Sequence, residues 1–361
     1  MEKIDWSELS FNYTKTKSNV RAYFRNGKWS DLEVSESDRF NMHISATALH
    51  YGQQAFEGLK AFRGKDGRIR LFRWQENAKR LQRSARGILM PEVPTELFRQ
   101  AVFQVIEANH EYVPPYESGA SLYLRPMLFG SGPTIGVKPS PEYTFVVFVV
   151  PVGPYFKEGF KPVRMLITRE FDRAAPLGTG TYKVGGNYAA SLASQRKAHE
   201  LGFANVIYLD AKEKKYIDEC GPANFFAIRG NQYITPKSSS ILESITNKSL
   251  MTLAQELGME VERRRIPEEE LGTFDEVGAC GTAAVISPIS EIMDHMNQKV
   301  FRFCPDGKAG PVSTRLYNRL RAIQYGDSPD PYGWVTVMGF GQTAPSPEQP
   351  ADESLPSKTV G

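Results

Sequence analysis

The chain has 361 residues, 41% of them hydrophobic and 24% charged, and its 44 basic and 41 acidic side chains leave a formal net charge of +3. Charges so evenly mixed offer no nucleic-acid footprint or membrane-surface patch, and no run of roughly eighteen apolar residues exists to span a bilayer. A length beyond the size at which one core keeps growing makes two domains the expectation.

The start, Met1-Glu-Lys-Ile-Asp-Trp6, is charged and lacks a signal peptide's apolar core. Cys220, Cys280 and Cys304 are odd in number and widely spaced, which fits a reducing compartment, so a cytoplasmic protein is expected. Five histidines without an HExxH or CxxC pattern give a metal site little support. Val20 to Trp29 reads as a hairpin closed by Asn26-Gly27, and a second hairpin joins 57–63 to 68–73 through Gly64-Lys-Asp-Gly67. Trp74 to Arg86 fits an amphipathic helix with Ala78, Leu81 and Ala85 at helical spacing, and Thr95 caps another that reaches about His110. Strands over 121–126 and 143–150 complete a first α+β domain, residues 1–151. The Pro- and Gly-rich segment 152–162 is the candidate interdomain linker. In the larger domain, 163–341, strands are expected over 163–168, 205–210, 216–219, 224–229, 232–235, 259–266, 277–281 and 284–292. Helices are expected over 188–200, 244–257 and 312–325. The tail 342–361, rich in Pro, Ser, Glu and Asp, is expected to be disordered.

Between the second domain's first strand and first helix lies Pro176-Leu-Gly-Thr-Gly-Thr-Tyr-Lys-Val-Gly-Gly-Asn-Tyr-Ala189, which sets Lys183 among glycines, with Tyr188 five positions on. A lysine on such a loop at a helix start faces the positive end of the helix dipole, one route to an amine able to form a Schiff base. A solvated loop lysine is the ordinary alternative. An aldehyde cofactor such as pyridoxal phosphate also needs a carboxylate at its ring nitrogen and a phosphate cup. Glu219, at a strand end, is the candidate carboxylate, with a solvated glutamate as the alternative. Ser244 opens a helix whose free amides on Ile245 and Thr246 form an anion site, unless the helix start is simply capped. Thr282, after Gly281, is a further hydroxyl donor, and Arg80 could clamp a phosphate, although a solvated face explains most basic residues of its helix.

Together, Ala48-Leu-His-Tyr-Gly-Gln-Gln-Ala-Phe-Glu-Gly-Leu-Lys60, Lys183 with Gly185-Gly-Asn-Tyr188, Glu219-Cys-Gly-Pro-Ala-Asn224 and Gly281-Thr-Ala-Ala284 stand in the order seen in branched-chain amino acid aminotransferases. The resemblance runs from about Phe11 to Tyr325. It implies an α+β fold, fold type IV of the pyridoxal-phosphate enzymes: a small α+β domain, a larger domain with a barrel-like β-sheet, and the cofactor in the cleft between them. It also implies a homodimer whose loops help close each other's site.

On matching positions the resemblance implies that Lys183 is the Schiff-base lysine, Tyr188 the partner of the cofactor's phenolic oxygen and Glu219 that of its ring nitrogen. It gives the phosphate to Arg80, the amides of Ile245 and Thr246, and Thr282. The turn at Thr282-Ala283 would grip the substrate α-carboxylate. Phe11, Tyr51, Phe56, Tyr123, Arg125 and Tyr155 match pocket positions, suited to L-leucine, L-isoleucine or L-valine and their 2-oxo acids. Arg125 and the tyrosine hydroxyls would meet the distal carboxylate of glutamate or 2-oxoglutarate. D-Amino acid aminotransferases and aminodeoxychorismate lyase share the fold, so the fold alone does not fix the reaction. Two departures stand out: Pro222 replaces a threonine of several relatives, and Ala284 and Ser287 replace a mammalian CxxC, so no thiol switch is expected there.

Overall fold

The structure, a computed structural model, describes residues 4–153 and 160–339. Tyr155, most of the expected linker and the tail 342–361 lie outside the described residues.

Two nine-stranded sheets organise the chain. The first is antiparallel, with Val335–Met338, Ile69–Phe72, Leu59–Arg63, Ser121–Gly130, Tyr143–Val152, Asn19–Arg25 and Lys28–Trp29 side by side. Its first hairpin closes at Asn26-Gly27, both with positive φ (51° and 76°), the geometry that matches a two-residue turn to strand twist. The two central strands pair along their whole length, Ser121 opposite Val152 through Gly130 opposite Tyr143. Successive side chains of a strand point to opposite faces. Leu122, Leu124 and Leu128 therefore pack with Leu81, Ala85, Phe98, Val102 and Val105 of the helices Trp74–Gly87 and Thr95–Ala108. Tyr123 and Arg125 are left on the other face, toward the second sheet.

Six strands of the second sheet close on themselves into a barrel. The order is Ile217–Cys220, Asn205–Leu209, Val163–Thr168, Val285–Asp294, Glu276–Gly281 and Ala223–Arg229, and the ring shuts where Glu219 pairs with Asn224. Met165, Ile207, Phe225, Ala279 and Ile289 belong to its core. The helices Ile245–Glu256 and Pro311–Tyr325 cover part of the outside through Leu250, Leu253, Leu316 and Leu320. The same cluster takes in Phe62 and Phe72 from the first sheet, so one apolar core ties both sheets together. Truncating the fully buried Phe62 to alanine costs about 3–5 kcal/mol.

Several expectations need correction. Pro94, not Thr95, is the cap residue of its helix, and Thr95 is the first helical residue, placed by the rigid φ of the proline before it. The helix expected over 188–200 is two, Gly185–Ala189 and Leu192–Glu200. The Ser191 hydroxyl donates to the Tyr188 carbonyl at 2.7 Å, a local bond that competes with the helical ladder and turns the chain. The strand from Tyr143 reaches Val152, into the expected linker. Val335–Met338, a strand the patterning did not reveal, returns from the barrel half to pair with Ile69–Phe72. The sheets therefore do not divide the chain at a single point.

Candidate active site

Lys183 is pinned from both sides by the small sheet and its helix. Its N–H donates to the Ser84 hydroxyl at 2.9 Å, and its carbonyl accepts the Phe56 N–H at 3.0 Å. The five-residue helix that follows is too short to supply much dipole, so position, rather than a helix terminus, distinguishes this lysine. Its Nζ donates to the Tyr188 hydroxyl at 2.8 Å and lies 4.8 Å from the Phe56 ring centroid. Burial opposes ionisation of Tyr188, but the charges of Lys183, Arg80 and Arg173 and the Lys183 hydrogen bond outweigh it, and the phenol's pKa falls below its usual value.

Glu219 is buried at the closure of the barrel. One carboxylate oxygen accepts from the Asn224 amide at 2.6 Å and the Leu242 N–H at 3.1 Å, and the other pairs with Arg173. Arg173, itself buried, also donates to the Gly180 and Ser240 carbonyls at 3.0 and 2.9 Å, fastening the lysine loop to the barrel. Burial pulls its pKa down, against the attraction of neighbouring acidic groups. Sequence reasoning missed Arg173: it stands alone in a loop, and its partners come close only in the fold.

The phosphate candidates are present but differently employed. Ser244 caps its helix by accepting the Asn247 N–H at 3.1 Å, which leaves the amides of Ile245 and Thr246 at an open terminus. Asn224 accepts the Ser244 N–H at 3.3 Å, linking the carboxylate end of the site to its anion end. Arg80 is not a free clamp. Its guanidinium donates to both oxygens of the fully buried Glu57 at 2.7 and 2.8 Å and to the Glu243 carbonyl at 2.9 Å. Burial would lower its pKa, but the charge and hydrogen bonds of Glu57 reverse the effect and keep it protonated. Glu57 is a second residue missed as a participant, although its Phe-Glu-Gly setting was visible.

One cavity is lined by Arg80, Lys183, Tyr188, Glu219, Ser244 and Thr282. Ile245 and Thr246 line a smaller one next to it, with Thr282 common to both. A larger cavity shares Lys183, Tyr188 and Thr282 and adds Phe11, Phe56, Tyr123, Arg125 and Ala283. Phe11 packs edge-on against Tyr123, with centroids 5.0 Å apart. Gly58 makes room for that tyrosine, since a Cβ there would lie 2.1 Å from its hydroxyl oxygen. Arg125 donates to the same hydroxyl at 3.2 Å and lies over the Phe56 ring at 4.8 Å. Tyr51 is not brought in: it is largely exposed, and its hydroxyl reaches the Ile135 carbonyl on another rim. Tyr155 lies outside the described residues.

The donor set fits a phosphorylated pyridine aldehyde: an amine beside a phenol, a buried carboxylate held in place by three donors, and a capped helix terminus at the far end. Among the described residues no group of acidic, histidine and cysteine side chains could hold a metal ion, and no helix is long and apolar enough to cross a membrane.

Comparison with known proteins agrees with this geometry. The family Amino-transferase class IV matches residues 54–292. The branched-chain-amino-acid aminotransferase of Haemophilus influenzae is 51% identical over 345 residues, covering 94% of this chain and all of the relative (100%). That of Helicobacter pylori is 49% identical, over 94% of this chain and 99% of its own. Among solved structures, the Escherichia coli branched-chain amino acid aminotransferase superposes with a TM-score of 0.73 at 29% identity, over 87% of this chain and 98% of its own. The T.th. branched-chain amino acid aminotransferase with pyridoxamine 5'-phosphate also has a TM-score of 0.73 at 29% identity, over 87% and 97%.

Proposed function

Since the chain belongs to the class IV aminotransferase family, we propose that Lys183 moves the proton in an amino transfer for which Tyr188 and Glu219 hold the cofactor. The chain is a branched-chain-amino-acid aminotransferase and its cofactor is pyridoxal phosphate. When bound, that group supplies the electron sink that makes an amino acid's α-proton removable. Lys183 Nζ would take that proton and later return it, as a general base at a fixed position. The Tyr188 hydroxyl keeps the amine oriented. The Glu219 carboxylate, anchored by Arg173 and Asn224, keeps the ring nitrogen protonated. The Ile245 and Thr246 amides and the Thr282 hydroxyl would hold the phosphate, with Arg80 adding only the guanidinium N–H groups that Glu57 and the Glu243 carbonyl leave free, and the Thr282–Ala283 turn would hold the substrate carboxylate.

The observation that carries this reading is the 2.8 Å bond from Lys183 to Tyr188 in the cavity that also holds Glu219. The substrates are amino acids and 2-oxo acids. We assign L-leucine, L-isoleucine and L-valine, with glutamate and 2-oxoglutarate as the second pair, to the Phe11, Phe56, Tyr123 and Arg125 wall. Assaying L-leucine, D-alanine and aminodeoxychorismate side by side tests the assignment. Activity confined to L-leucine with 2-oxoglutarate is expected, and turnover of D-alanine alone would overturn it.

A homodimer is part of the proposal. The segments 43–51 and 131–137 are tied together by the Thr134 N–H to Ser45 carbonyl bond and an Ala46–Pro133 bridge, and they expose Ile44, Leu49, Tyr51, Ile135 and Val137. Apolar side chains gathered on one rim support burial against a second copy, where Tyr51 would reach the partner's pocket. Two domains joined near 152–162 and a cytoplasmic location complete the reading, the latter supported by three free thiols.

A further inference from the structure

We propose that Lys60 is a positioning residue for the substrate carboxylate, fixing the Thr282–Ala284 turn from behind and placing a cation beneath it. The proposal rests on the reading that this turn grips the α-carboxylate. Lys60 lies on the strand Leu59–Arg63 directly opposite Tyr123, so it shares the sheet face that walls the substrate cavity. Its Nζ donates to the Ala283 carbonyl at 2.8 Å, across 223 positions of sequence. The carbonyl and the next N–H of a trans peptide point in opposite directions. Anchoring the Ala283 carbonyl on Lys60 therefore turns the Ala284 N–H away from the lysine, toward the cavity that Ala283 and Ala284 line.

Stability gives no reason for a lysine here. It is buried, and among the described residues no carboxylate offsets its charge. It is faced by Asn77 from one helix, Thr246 from another, Thr282 from the turn, and Arg321 and Gln324 from the last helix. The Gln324 side-chain oxygen Oε1 is buried without a hydrogen-bond partner among the described residues, an acceptor in the same small cavity. Burial and then the charge of Arg321 push the Lys60 pKa down to about 7. An apolar side chain would fill the space without that penalty. What the lysine adds is a fixed peptide and a positive potential under an anion site, and that potential fades as pH rises through about 7.

The test is calorimetric titration of the holoenzyme with 4-methylpentanoate, leucine's carbon skeleton without the amine, at pH 6 and pH 8.5. Lys60→Met should bind about tenfold more weakly than wild type at pH 6 and show a smaller change between the two pH values. Lys60→Arg, charged at both, should keep most of the pH 6 affinity at pH 8.5. Wild-type affinity and pH response in Lys60→Met would overturn the proposal. Should Lys60→Met not fold, a wild-type pH response in Lys60→Arg overturns it instead. Ala283→Pro, which removes an N–H of the Thr282–Ala283 turn, separates the two readings. Unchanged binding in that variant refutes the carboxylate turn itself, whereas loss there with none in Lys60→Met refutes only the role of Lys60.

Discussion

The cofactor cavity and the substrate cavity share Lys183, Tyr188 and Thr282 as a common wall, yet the two sides are built on opposite plans. On the cofactor side the charges are matched: Glu219 by Arg173, Asn224 and the Leu242 N–H, Arg80 by Glu57 and the Glu243 carbonyl. On the substrate side the walls are aromatic rings and backbone, and Arg125 rests over the Phe56 and Tyr123 rings with a buried Nε that has no hydrogen-bond partner among the described residues. A cofactor stays through every turnover, so its cradle can be saturated and rigid. A pocket that must take an apolar side chain and then a carboxylate needs a guanidinium held weakly enough to be recruited.

The sharpest way to break the comparison is at the shared wall. Lys183→Ala should lower leucine–2-oxoglutarate turnover by about four orders of magnitude or more, and a coupled steady-state assay that finds a few per cent of activity would sink the assignment. On the saturated side, Arg173→Gln leaves the Glu219 carboxylate buried without its ion partner. Urea unfolding should then show a loss of about 3 kcal/mol, alongside a fall in kcat, and an unchanged midpoint would mean the pair is not structural. On the weakly held side, Arg125→Met should raise the KM for glutamate roughly tenfold or more while leaving that for leucine nearly unmoved. Equal effects on both substrates would erase the distinction between the two plans.

The smallest effect concerns pH and stability. Lys60 has a folded pKa of about 7 against a usual 10.5, so between these values the unfolded chain binds more protons and wild-type stability rises with pH. Below about 7 both states are protonated and the penalty is full. The melting temperature of Lys60→Met relative to wild type should therefore improve as pH falls from 10 to about 7, read by calorimetry at matched ionic strength.

Local signals were legible in the sequence. Lys183 and Tyr188 lie five positions apart, the Ser244 cap is read from its helix, and the Asn26-Gly27 turn from its dipeptide. What escaped were pairings made through space. Arg173 with Glu219, Glu57 with Arg80 and Lys60 with Ala283 join distant segments, and nothing in the spacing of one partner announces the other. The break near Ser191 escaped because the helical pattern continues through it, while both the Ser191 N–H and its hydroxyl turn back to the Tyr188 carbonyl. Tyr51 was placed in the pocket by resemblance alone, and in its own chain it stands on another rim.

The late strand has a consequence for how the molecule is made. Trp74 donates to Thr336 at 3.1 Å across 262 positions, and Val335–Met338 completes the sheet beside Ile69–Phe72. During synthesis, then, the edge at Ile69–Phe72 waits unpaired while the whole barrel emerges, a long-range closure that is slow and open to wrong partners. A ribosome stalled anywhere between these strands would hold a sheet without its last strand, whose open edge invites a neighbouring nascent chain or a chaperone.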